Sequence, residues 1–124
     1  MRFKKHVILL SCLVLCLFTA PATLFAKDGI GDKIVKVLEA NRTGDCPDDL
    51  MAPILLDICE QQVHIMKKWL ADLGATKRAE YKGIEKLPNG AQAEVYKIHF
   101  ENGTMMWMGT VDSDGKLNFM WSPG

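Results

Sequence analysis

Cysteines are the side chains with the most direct chemistry in this sequence, and they fall into two pairs. Cys12 and Cys16 lie in an apolar N-terminal run, whereas Cys46 and Cys59 lie in the polar remainder of the chain. In an exported protein a pair of cysteines predicts a disulfide, and closing a loop of this size stabilises a fold by roughly 3 kcal/mol. A buried free thiol at Cys59 is the alternative, because that residue lies near the apolar side of a predicted helix.

Metal binding is the next chemistry to consider. His99 lies close to Met106 and Met108 in a predicted hairpin, and imidazole and thioether groups are ligands that copper(I) accepts. Methionine at strand positions more commonly serves packing. We therefore predict neither a metal nor a cofactor.

Acid–base chemistry has one candidate, Glu94, which shares a predicted inward strand face with Tyr96. An acid in an apolar cavity has a raised pKa and can shuttle a proton. Glu94, however, lies at the far end of its strand, where a charged residue is usually solvated. His64 lies on the polar face of a helix, and neither Ser113 nor Ser122 has a Ser-x-x-Lys setting. Because none of these residues has a convincing catalytic setting, we predict that the protein is not an enzyme.

The N-terminus predicts export. Residues 1–26 have the three parts of a secretory signal: a basic start with Arg2, Lys4 and Lys5, an apolar run from Val7, and small residues before a cleavage point. We predict cleavage after Ala26, with Ala22 as the alternative, and therefore a periplasmic or secreted protein. A single domain of 98 residues, 27–124, remains.

The charge of that domain limits its partners. Twelve basic residues stand against fifteen acidic ones once residues 1–26 are removed. A slightly acidic domain without a basic stripe argues against nucleic acid and against an anionic membrane surface.

Two helices are predicted first. Apolar residues recur at helical spacing over 30–39, and a Gly-, Pro-, Asn- and Asp-rich loop follows over 41–49. The second helix runs from Pro53 to Gly74, and its predicted apolar stripe consists of Leu55, Ile58, Cys59, Ile65, Met66, Trp69, Leu70 and Leu73. Gln62 interrupts this stripe. If buried, it needs hydrogen-bond partners, which a cavity or ligand could supply; otherwise it lies at the edge of the stripe.

Four strands follow. The first covers residues 77–87, with a bulge at Gly83, and three more lie within 91–121. We predict a type I′ turn at Asn102-Gly103, which pairs Ile98 with Trp107. The next turn is predicted as a three-residue loop ending in a left-handed Gly115, with a two-residue turn as the alternative.

These pairings give the sheet two distinct faces. Side chains predicted to point inward are Tyr96, Ile98, Phe100, Trp107 and Phe119. Those predicted to form an exposed apolar patch, beside His99, are Val95, Met106, Met108 and Met120. Such a patch is typical of a partner-binding or self-association surface, unless the first helix or the C-terminal residues cover it. The fold predicted is α+β, two helices packed on a curved four-stranded antiparallel meander.

Three stretches carry a resemblance to a known family. The segments ANRTGDCPDDLMAP, WLADLGATKR and AEVYKIHFENGTMMWMGTVDSDGKL resemble cystatin-like domains of the nuclear-transport-factor-2-like superfamily, and most closely the tail domain of bacterial beta-lactamase-like serine hydrolases. The resemblance implies a cone of helices and sheet that stands alone as an exported accessory domain. The pair Cys46 and Cys59 and the methionine cluster depart from the family pattern.

Together, these features predict an exported non-enzymatic domain that binds a protein partner or a small apolar ligand. The site residues predicted are Gln62, His99, Met106, Met108 and Met120. One alternative is a small isomerase- or hydratase-type enzyme that uses the cavity between helix and sheet. The other is an inhibitor or immunity protein.

Overall fold

The computed structural model describes residues 29–124; the predicted signal, 1–26, lies outside them. Its elements, in chain order, are helices α1 (Ile30–Arg42) and α2 (Pro53–Leu73) and strands β1 (Thr76–Lys86), β2 (Gln92–Phe100), β3 (Gly103–Val111) and β4 (Leu117–Trp121). The strands form one antiparallel sheet in the order β1-β2-β3-β4, and both helices pack on it. The predicted α+β class is therefore confirmed.

Both helices begin where the sequence predicts, and α2 also ends there, whereas α1 continues to Arg42, into the predicted loop. Pro53 occupies the first turn of α2, where its missing N–H costs no hydrogen bond, and Gly74 ends the helix with φ 78°. Neither α1 nor α2 is both long and apolar enough to cross a membrane.

The core lies between α1, α2 and the inner face of the sheet. Its fully buried large side chains are Ile34, Val37, Leu38, Leu70, Ile98 and Leu117. Phe100, Met105 and Trp107 extend this core along β2 and β3. Burial of these side chains supplies the main driving force for folding.

Arg42, at the end of α1, fixes the C-terminal end of α2. Its guanidinium donates hydrogen bonds to the carbonyl oxygens of Leu70, at 2.6 Å, and of Gly74. The Leu70 carbonyl also accepts from the Gly74 N–H at 3.1 Å, and a cation is favoured at this helix end by the helix dipole. Glu39 accepts from Arg42 at 2.9 Å and from the backbone N–H of Thr76 at 3.0 Å. One ion pair therefore joins α1, the end of α2 and the start of β1.

A second connection lies near the start of α2. Cys46 and Cys59 form the disulfide predicted from the sequence, with 6.1 Å between their Cα atoms. The buried Asn41 side chain donates to Cys59 Sγ at 3.3 Å and to the Asp45 carbonyl oxygen at 2.8 Å. The loop between the helices is thus attached to both of them.

The predicted register of the first hairpin is wrong by two residues. The two loop residues are Glu101 and Asn102, so Phe100 pairs with Gly103, and Ile98 pairs with Met105 instead of Trp107. The loop is set by the neighbouring helix end, since the N–H groups of Glu101 and Asn102 donate to the carbonyls of Ala75 and Leu73. A shift of two residues leaves every side chain on its predicted face.

The prediction for the second hairpin is correct at its turn and wrong in the strands beyond the turn. Gly115 has φ 76°, and Val111 pairs with Leu117 as the three-residue loop requires. A bulge between Thr110 and Val111 then shifts the register by one, so that Gly109 pairs with Met120. Because successive side chains alternate, the bulge turns Met120 inward and Phe119 outward, which reverses both predictions.

Removal of the disulfide tests its contribution to stability. The double variant Cys46→Ala, Cys59→Ala is expected to lose roughly 3 kcal/mol of unfolding free energy in urea, because the unfolded chain regains the freedom of the closed loop. The natural chain with its disulfide reduced should have the same unfolding free energy as the variant. Identical urea midpoints for oxidised and reduced protein would contradict this.

Acidification tests the ion pair of Glu39. Burial raises the pKa of Glu39, but hydrogen bonds from Thr76 and Arg42 outweigh burial and hold the pKa below 4.5. A carboxylate with a lowered pKa stabilises the fold above its unfolded-state pKa, and this contribution disappears as the pH falls through the folded-state value. Glu39→Gln should therefore show a smaller loss of unfolding free energy below pH 4.5 than the natural chain. Glu60→Gln, on the exposed face of α2, is the control and should behave as the natural chain.

Candidate functional site

The methionine patch predicted on the outer face of the sheet is not an exposed surface. Met120 points inward and packs against the core. Met108 is only 8% exposed and Met106 is half-buried. Trp121 pairs with Met108, and the Ser122 hydroxyl donates to the Met106 carbonyl oxygen at 2.5 Å. These two contacts lie in the plane of the sheet, and Gly124 lies beside Trp69 and Met105, on the side of α2. The low exposure of Met108 and the inward direction of Met120 are therefore what removes the predicted patch.

His99 belongs to a polar cluster and not to the methionines. Its Nε2 lies 2.9 Å from Glu80 Oε1 on the neighbouring strand. The hydrogen bond from His99, followed by the charge of Lys82, lowers the pKa of Glu80. Within residues 29–124, no group of three or more His, Cys, Asp and Glu side chains is arranged to hold a metal ion.

Gln62 lies at the mouth of a small cavity between α2 and the inner face of the sheet. The side chain is exposed, as the edge position predicts. The cavity has a volume of about 60 Å³, and its lining residues are Val37, Asn41, Met51, Leu55, Ile58, Cys59, Gln62, Met66, Trp107 and Met120. It is therefore mainly apolar, with two amide side chains at its wall.

Trp107 gives this cavity a polar feature. The indole Nε1 is buried and has no hydrogen-bond acceptor among the described residues. A buried donor without an acceptor costs about 1–3 kcal/mol, so natural proteins usually satisfy it with water or another group. The cavity is large enough for water.

The helix α2 carries a second apolar face that points to solvent. Ile54 is 67% exposed, Ile58 44%, Ile65 46% and Trp69 54%. Successive helical residues turn by about 100°, which places these four side chains in one narrow row that we name the α2 stripe. Four large apolar residues in a row are unusual on the surface of a small domain.

Part of this row was predicted to be buried. Ile58, Ile65 and Trp69 were expected in the core stripe, but α1 and the sheet cover only the adjacent row of the helix. Its members are Leu55, Cys59, Val63, Met66, Leu70 and Leu73. The apolar sector of α2 spans about 200° by helical geometry, and α1 and the sheet together cover about half of it. Ile54, which the sequence analysis did not select, extends the same row by one turn.

The acid–base candidate Glu94 lies in a different groove, at the start of α1. Its Oε1 accepts a hydrogen bond of 2.5 Å from the Tyr96 hydroxyl. The Tyr96 ring packs closely against Gly31, near the start of α1. Gly31 must stay small, because a Cβ there would lie 2.5 Å from the Tyr96 ring. The pair thus has a clear structural role at the start of the helix.

Tyr96 provides a spectroscopic test of this arrangement. Burial, together with the hydrogen bond and charge of Glu94, raises its pKa to about 12. An ordinary tyrosine has a pKa of about 10. The contribution of Tyr96 to the free energy of unfolding is therefore fully present below pH 10 and is lost as Tyr96 ionises toward pH 12.

The chain has two tyrosines, so tyrosinate absorbance can resolve this group. Tyr96→Phe should remove the transition near pH 12, whereas Tyr81→Phe should keep it. A Tyr96→Phe variant that still titrates near pH 12 would contradict the assignment.

The α2 stripe, the cavity of Trp107 and a shallow hollow lie next to one another on α2. The hollow is lined by Trp69, Asp72, Leu73, Met105 and Gly124. Ile58 belongs to both the stripe and the cavity wall, so these apolar features form one surface. Comparison of the chain with protein-family models, with curated proteins and with solved structures gives no match.

Proposed function

We propose that this chain is an exported, non-enzymatic binding domain that holds a protein partner against the α2 stripe. The observation that supports this proposal is the row of four exposed side chains, Ile54, Ile58, Ile65 and Trp69. Contact with a partner would remove this apolar surface from water, which favours association. Aromatic and large aliphatic side chains are also typical anchors of protein interfaces.

The shape of the surface favours a protein over a small apolar ligand. From Ile54 to Trp69 the stripe extends about 22 Å along the helix axis, which suits the apolar face of another helix. Pockets for small ligands usually have volumes of roughly 300 to 1,000 Å³. The cavity beside Trp107, at about 60 Å³, is much smaller. The groove beside Glu94 has a volume of about 580 Å³, but its lining includes Asp32, Lys77 and Arg78, which do not suit an apolar ligand.

The two alternatives fit the surface differently. An isomerase- or hydratase-type enzyme needs a free acid in a helix–sheet cavity. Glu94 does lie in a groove between α1 and the sheet, but its carboxylate accepts the hydrogen bond of the Tyr96 hydroxyl. An inhibitor or immunity protein acts by binding a partner, so the α2 stripe would serve that function equally well.

Export remains part of the proposal. The disulfide between Cys46 and Cys59 supports it, because such bonds form and persist mainly in oxidising compartments. The proposed signal, residues 1–26, agrees with a periplasmic or secreted location. The relationship to the nuclear-transport-factor-2-like superfamily also remains a proposal, supported by the order of two helices followed by a four-stranded meander.

Photo-crosslinking in the cells that make the protein tests the partner surface. A benzoylphenylalanine in place of Ile65, at the centre of the α2 stripe, is expected to give a discrete covalent adduct on irradiation. The matched control carries the same group in place of Ala71, which is exposed on another face of α2. Mass spectrometry of the adduct then identifies the partner. The proposal fails if both positions give the same adducts or if Ile65 gives none.

A further inference from the structure

We infer that the partner of the α2 stripe is a second copy of this chain, packed antiparallel on the first copy about a two-fold axis near Gln61 and Gln62. This inference rests on the proposed function and specifies its partner. Three properties of α2 support it: the spacing of the stripe, the charges beside it and the residues at its midpoint.

The spacing of the stripe is the same in both directions along the helix. Steps of four, seven and four residues separate Ile54, Ile58, Ile65 and Trp69. Antiparallel packing of two copies therefore places Ile58 opposite Ile65 and Ile54 opposite Trp69. A two-fold interface requires such self-complementarity, because each residue must meet the same partner from both sides.

The charges beside the stripe complement each other in this arrangement. Asp57 and Lys68 are eleven residues apart and hence within about 20° of each other around the helix, on one flank of the stripe. In an antiparallel pair the same flanks of the two helices face each other. Asp57 of each copy then lies near Lys68 of the other, which gives two attractive pairs across the interface. Parallel packing would place these flanks on opposite sides of the interface, so that neither pair forms.

The midpoint of the stripe is polar. Gln61 and Gln62 are both exposed and occupy the turn between Ile58 and Ile65. In the antiparallel pair they meet their own copies near the axis, where amide groups can donate and accept hydrogen bonds to each other. A buried polar residue at one position of a helix pair fixes its register. The glutamines would therefore select this alignment over a shifted one.

Sedimentation equilibrium of the protein, produced from its full-length sequence, tests self-association. We expect a concentration-dependent dimer, because one helix pair covers less than the roughly 800 Å² per partner of a standard interface. Ile65→Lys should raise the dissociation constant at least about tenfold, since it places a charge at the centre of the apolar contact. Ala71→Lys adds the same charge on another face and should leave the dimer unchanged.

Charge reversal tests the partner's identity independently of the apolar contact. Asp57→Lys alone and Lys68→Asp alone should each weaken the dimer, because each creates two repulsive pairs. The double variant Asp57→Lys, Lys68→Asp should restore it. Circular dichroism of each variant checks that the fold is retained. Two weakened single variants without restoration in the double variant would overturn the antiparallel pairing.

Cysteine cross-linking tests the orientation on an unperturbed surface. Gln61→Cys lies near the two-fold axis and should oxidise to a covalent dimer. Ile54→Cys, about 22 Å from the equivalent residue of the other copy, should not. Cross-linking at both positions would indicate parallel packing and overturn the inference.

These experiments separate this inference from the proposed function. A natural chain that remains monomeric at several hundred micromolar overturns the self-association. If the benzoylphenylalanine at position 65 still captures a different protein, the partner-binding function stands while the second copy is excluded. If neither a dimer nor an adduct forms, both proposals fail together.

Discussion

The ion pair of Arg42 and Glu39 determines how α2 lies in this domain. Arg42 satisfies the carbonyls at the end of the helix, and Glu39 holds the first amide of β1. Near the other end, the disulfide of Cys59 attaches α2 to the loop that follows α1. A helix held at two points cannot easily rotate about its own axis. The division of α2 into a covered row and an exposed row is therefore imposed by the scaffold.

This division explains why the proposed binding surface lies on a helix and not on the sheet. The predicted patch on the outer sheet face is not available, because Met108 is only 8% exposed and Met120 points inward. By contrast, α1 and the sheet cover only part of the apolar sector of α2. The uncovered remainder, from Ile54 to Trp69, reaches solvent. Exposed apolar rows of this length are costly in water and are typically retained for contact.

The sequence was sufficient for the elements and their order, because these depend on local patterns. Pro53 and Gly74 set the bounds of α2, and strand alternation identified the inner face. Pairing depended on features that no local pattern contains. The backbone N–H of Asn102 donates to the Leu73 carbonyl at the end of α2, and the hairpin loop is therefore shifted from its predicted position. The bulge before Val111 turns Met120 inward and Phe119 outward, the reverse of the prediction. Periodicity likewise could not show which half of the apolar sector of α2 the sheet would cover.

The meander order of the sheet has a kinetic consequence. Each strand pairs with its neighbour in the sequence, and the strands are joined by short turns. Contacts between residues close in sequence close only short loops and therefore cost little conformational entropy. Domains in which such contacts dominate fold quickly. The sheet can therefore form from hairpins before α1 and α2 close over it. In such an order the apolar row of α2 would be the last surface to find its place, and the half that remains uncovered would be available as soon as the helix docks.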